Sequence, residues 1–122
     1  MAAVKRFEDL DIWKESMQLV YSIYNLFKKC KDFGFKDQIQ RSSVSIPSNI
    51  AEGFERQTNK EFIRFLYYAK GSCGELRTQI YLAIKLNYIS ETEQDKLIEQ
   101  TKRLSLKITK LILYRETMNR VL

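Results

Sequence analysis

Apolar residues recur every three or four positions over four long stretches of this chain, which is the period of an α-helix. The first stretch, residues 9–31, carries two apolar stripes. Leu10, Trp13, Met17, Val20, Tyr24 and Phe27 make one of them. Ile12, Leu19, Ile23 and Leu26 make the other, nearly opposite at about 100° per residue. One bundle core covers only one such face. The longer stripe is therefore assigned inward and the second outward.

The second stretch, residues 36–54, places Ile39, Ile46, Ile50 and Phe54 on one face. It also holds Ser42, Ser43, Ser45, Ser48, Asn49 and the chain's one proline, Pro47. Serine and asparagine compete for backbone hydrogen bonds inside a helix, and proline removes one. A helical period kept against helical preference marks a constraint beyond local stability, a packing or binding surface. Pro47 predicts a bend or a break in this helix. The turn before it is expected at residues 32–35, with Gly34 free to adopt a positive φ.

Two further helices begin at sharp signals. Thr58 with Glu61, and Ser90 with Glu93, have capping-box spacing. After the first box, Phe62, Phe65, Leu66, Ala69, Cys73, Leu76, Ile80 and Ala83 share a face, and Asn87 is the expected stop. Gly71 and Gly74 lie inside this helix at a cost of about 1 kcal/mol each relative to Ala. Small residues there would admit a neighbouring helix. After the second box, Leu97, Leu104, Ile108, Leu111, Arg115 and Met118 mark an inner face reaching toward Leu122, while Leu106 and Leu113 point the other way.

Short connections between four long helices predict an all-α fold, an antiparallel up-down-up-down four-helix bundle in one domain, residues 1–122. The surplus stripes, Ile12, Leu19, Ile23 and Leu26 with Leu106 and Leu113, then form an expected oligomer interface. The plainer alternative is a loosely packed bundle whose stripes are covered by lysine stems.

Composition narrows the chemistry. With no histidine in the chain, a histidine-dependent triad is excluded and general acid–base work would fall to a perturbed carboxylate, lysine, tyrosine or cysteine. Cys30 and Cys73 match no metal or redox spacing and read as two reduced thiols. Glu52, Glu55, Glu61 and Glu75 could in principle hold a metal, but surface glutamates usually pair, here with Arg41, Arg56 and Arg77. The expectation is a non-enzyme without cofactor or metal. No apolar run is long enough to span a membrane, and the N-terminus has no apolar signal core, so a cytoplasmic protein is expected.

A formal charge of +6 favours acidic partners. Basic residues concentrate in the last helix, where Lys96, Arg103, Lys107 and Lys110 fall on one stripe. This stripe is the candidate contact for RNA or DNA phosphates, or else a solvated face that aids solubility. Tyr67, Tyr68 and Tyr81 could stack on bases or pack inside. The second helix offers a candidate interaction surface, Arg41, Ser45, Ser48, Asn49, Glu52 and Arg56. There Glu52 and Arg56 have favourable helix-pair spacing, and Asn49 is placed to meet a carbonyl freed by Pro47. Its alternative role is a packing contact between helices or subunits, and another protein is its alternative partner.

Three blocks carry a family resemblance. Asp9-Leu10-Asp11-Ile12-Trp13, the run from Gln38 to Gly53, and the third-helix residues Glu61-Phe62, Phe65-Leu66, Ala69, Gly71-Ser72 and Glu75-Leu76 resemble the bundle proteins encoded in intervening sequences of bacterial 23S ribosomal RNA genes. Arg77 departs from that pattern, where the family often carries an acidic residue. The resemblance implies a four-helix bundle in a bacterial cytosolic protein. It also implies assembly of the chain with itself into a ring, often a pentamer.

Overall fold

The computed structural model describes residues 4–121, with side chains as far as position 118. The side chain of Arg120 and the expected helix end at Leu122 lie outside the described residues. A 3₁₀ turn at Phe7–Asp9 leads into four helices: α1 (Asp11–Leu26), α2 (Phe33–Phe54), α3 (Asn59–Lys85) and α4 (Glu91–Val121). Among the described residues there is no strand. Consecutive helices pack on one another, α2 most extensively on α3, and α1 meets α4 to close the bundle along its most sparing seam.

Local chemistry sets the helix ends. Asp32 caps α2 by accepting the Phe35 N–H at 3.1 Å, so α2 starts at Phe33 and not near 36. The turn accordingly lies at residues 27–32, and Gly34 is helical with no positive φ. The Thr58 Oγ accepts the Glu61 N–H at 3.1 Å. Ser90 and Glu93 cap each other, Glu93 N–H to Ser90 Oγ at 3.2 Å and Ser90 N–H to Glu93 Oε1 at 2.9 Å. Asn87 ends α3 with φ 62°, and the Tyr88 N–H reaches back to the Ala83 carbonyl at 2.8 Å.

The helix α2 runs through Pro47 without dividing. Its serines stay helical because their hydroxyls turn back on the same helix. Ser43 donates to the Gln40 carbonyl at 2.7 Å and Ser45 to the Ser42 carbonyl at 2.7 Å. Ser16 and Thr101, both fully buried, do the same to Trp13 and Ile98. These polar side chains therefore enter the core already satisfied.

The core takes the whole expected α3 face, Phe62 through Ala83, and Ile39, Ile46 and Ile50 of α2. On α1 the second stripe is the more deeply buried one. At about 100° per residue the two stripes are neighbours about 120° apart, not opposite faces. Ile12, Leu19 and Ile23 are 5%, 3% and 0% exposed and belong to the chain's own core, with Leu26 packed against it, so they are not an oligomer interface. Met17 and Tyr24, expected inward, are 44% and 45% exposed. A wholly aliphatic stripe gains more from burial than one with a thioether and a phenol, and tyrosine tolerates a wet edge. Leu10 and Phe27 of the other stripe are also buried, which makes the apolar face of α1 wide. On α4, Leu97, Leu104 and Ile108 are buried as expected, joined by Ile98, Thr101 and Ile112, while Met118 is exposed.

Candidate nucleic-acid interface

Positions 103 and 107 on α4 are one helical turn apart, as are positions 11 and 15 on α1, so the two pairs meet across the α1–α4 seam. The Arg103 Nη2 donates to Glu15 Oε1 at 3.0 Å, and the Lys107 Nζ donates to Asp11 Oδ2 at 2.7 Å and to Glu15 Oε2 at 2.5 Å. Glu15 thus serves two cations. The hydrogen bond from Lys107 holds the Asp11 carboxyl below its ordinary value, and the bonds to Asp11 and Glu15 raise the Lys107 ammonium above its own.

The other two residues of the stripe differ. Lys96 and Lys110 are exposed, and neither takes part in an ion pair among the described residues. Lys110 borders a cleft of about 450 Å³ with Leu10, Asp11 and Leu111. Lys96 borders one of about 210 Å³ with Ser22, Asn25 and Glu93. The basic stripe therefore runs along a seam whose middle is neutralised and whose ends are free. The acidic pair on α1 escaped the reading of the sequence. Its signal was there, two carboxylates at helical spacing in a helix bound to neighbour α4.

The polar face of α2 is present and turned to solvent, but its groups satisfy one another. Arg41 pairs with Asp37 at 2.9 Å, not with a glutamate. Arg56 pairs with Glu52 at 2.7 Å and also covers the Phe65 ring at 4.9 Å. The Asn49 Nδ2 donates to the Ser45 carbonyl at 2.8 Å, not to that of Ser43, which Pro47 leaves without its usual donor. Ser48 is exposed. Ser42, on the buried side, shares its one hydroxyl proton between its own helix and Gln79 Oε1 of α3, so the serine run also fastens α2 to α3.

Apolar surface does remain outside the core. Leu106 and Leu113 are 56% and 61% exposed, next to Tyr114 on the same helix, and Tyr21 stands out from α1. Tyr67, Tyr68 and Tyr81 are about half exposed on α3. Between them, a Cβ built on Gly71 or Gly74 meets nothing within 4 Å, so no helix of this chain approaches these glycines. The close approach is at Gly53, where a Cβ would stand 2.5 Å from that of Phe65.

Among the described residues no cluster of three or more acidic or thiol groups could hold a metal. Burial pushes the Cys73 thiol up to about 12, away from the reactive thiolate. No helix of the described residues is long and apolar enough to cross a membrane.

Comparison with known proteins agrees with this architecture. The pattern of the 23S rRNA-intervening sequence proteins matches residues 8–110. A crystal structure of a protein of unknown function from the S23 ribosomal protein family of Bacteroides thetaiotaomicron is similar, with a TM-score of 0.78 and 25% identity over 83% of this chain and 97% of that one. No curated protein matches.

Proposed function

The chain belongs to the family of 23S rRNA-intervening sequence proteins, and from that premise we propose that it is a non-catalytic, self-associating bundle that binds RNA or DNA through phosphate contacts. The observation that carries the reading is the pair of free lysines, Lys96 and Lys110, at the two ends of the α1–α4 seam in a chain of net charge +6. Phosphates are recognised by such cations without any base-reading motif. The exposed Leu106, Leu113, Tyr114 and Tyr21 support association between copies, in the ring and pentamer that family resemblance implies. A ring repeats each weak cationic contact and multiplies its effect. The reading places the chain in the bacterial cytoplasm, where ribosomal RNA is made.

A polarisation titration against RNA and DNA at several salt concentrations tests this. Binding that weakens with salt is expected, with Lys96→Ala and Lys110→Ala each lowering the slope by about one. No binding at low salt sinks the proposal. Light scattering tests assembly, and a monodisperse species of monomer mass overturns it. One observation favours a second reading, a protein-interaction scaffold. The open notch at Gly71 and Gly74, flanked by Tyr67 and Tyr81, has the form of a seat for a partner helix.

A further inference from the structure

The end of the bundle where α1 turns into α2 carries an unusual pairing of charge and exposed ring. Lys28, Lys29 and Lys31 are all exposed on the connection, and none forms an ion pair among the described residues. Phe33, the first residue of α2, is 72% exposed, more than any other large apolar side chain described.

The turn is braced, so this exposure is not looseness. Phe35 supplies the apolar anchor, 6.0 Å from the Phe27 ring and 5.3 Å from the Tyr88 ring. The Lys36 Nζ ties back to the Lys28 carbonyl at 3.0 Å. The acids nearby are occupied. Asp32 accepts from the Phe35 N–H and from the Tyr88 hydroxyl, and Asp37 pairs with Arg41. Lys96, near the start of α4, shares a cleft with Asn25 and Leu26 from the end of α1, so it lies at this same end of the bundle.

We propose that this tip binds an unpaired nucleic-acid segment, with Phe33 stacking on a base while Lys28, Lys29, Lys31 and Lys96 meet the flanking phosphates. A ring face held out among unpaired cations suits a ligand that is itself an aromatic face on a polyanion. A duplex keeps its bases stacked inside and offers the ring nothing. An apolar protein pocket would suit Phe33 but not the lysines around it. The inference rests on the nucleic-acid reading above and sharpens it to a site and a class of ligand.

The test is polarisation binding of a short single-stranded RNA and of its duplex, by the full chain and by Phe33→Ala, Phe33→Tyr and Lys29→Ala/Lys31→Ala, with circular dichroism to confirm folding. Phe33→Ala should weaken single-strand binding about 5- to 150-fold and leave duplex binding unchanged. Phe33→Tyr, which keeps the ring, should bind as the parent does. Each lysine removed should lower the single-strand salt slope by about 0.7. If the chain binds both nucleic acids and Phe33→Ala changes neither, the tip proposal is overturned while phosphate binding stands. If the parent chain binds neither at low salt, both are overturned and Phe33 is left to a protein partner.

Discussion

The Tyr88 hydroxyl donates to Asp32 Oδ2 at 2.6 Å, joining the α3–α4 connection to the cap of α2. The bond has a direction in pH. It raises the Tyr88 phenol above its ordinary value of 10.0 and, with the Phe35 N–H, lowers the Asp32 carboxyl below 3.8. The phenol's contribution to stability is thus present below pH 10 and lost as pH rises through its raised value. The carboxylate's contribution is present above about pH 4 and lost as pH falls through its lowered value. An ultraviolet titration should find Tyr88 ionising above its ordinary value, and Asp32→Asn should bring it back down. An unchanged titration in that variant would deny the bond.

The glycines divide by what surrounds them. At Gly53 a Cβ would collide with the Phe65 Cβ and crowd Phe62, atoms fixed to the α3 backbone. Gly53→Ala should therefore destabilise the bundle by about 1–3 kcal/mol. Gly71 and Gly74 are helical, have no positive φ and face open space. Changing either to Ala should stabilise the isolated subunit by about 0.5–1 kcal/mol. Urea denaturation measures all three. If Gly71→Ala instead loosens assembly in light scattering, a second copy is seated in the notch.

Which apolar positions lie inside is equally open to test. Ile23→Ala should cost about 2–5 kcal/mol, because its side chain is fully buried. Leu106→Ala and Leu113→Ala, at exposed positions, should leave subunit stability within about 0.5 kcal/mol. Their effect belongs in the association constant. Matching losses at all three positions would contradict this division between core and surface.

These contrasts also explain what could be read from the chain beforehand. The α3 face was legible residue by residue because its apolar period is single and its start and stop are chemically marked by Thr58 and Asn87. The second capping box was legible for the same reason. The α1 faces were not, since two stripes compete and the period alone does not weigh Ile23 against Tyr24. Hydropathy of the particular side chains decides that. The position of the first turn was missed because Gly34 outweighed Asp32, although a carboxylate cap needs no glycine. At the candidate site, the basic stripe was visible on α4, but its neutralisation depends on which helix faces it. Pairing across a bundle is a tertiary fact that spacing along one helix does not carry.

That neutralisation yields the last prediction. Glu15 accepts from both Arg103 and Lys107, so phosphate contact at the middle of the seam must compete with it. Glu15→Gln removes one negative charge and leaves Arg103 without its ion-pair partner, while Lys107 keeps Asp11. If the seam binds nucleic acid, this variant should bind more tightly than the parent, with a salt slope larger by about one. Removing a carboxylate far from the seam, as in Glu75→Gln, changes the net charge equally but should act only through the weak long-range field. A salt titration of the two variants separates local release from overall charge. Equal gains would show that the α1–α4 seam has no special part in binding.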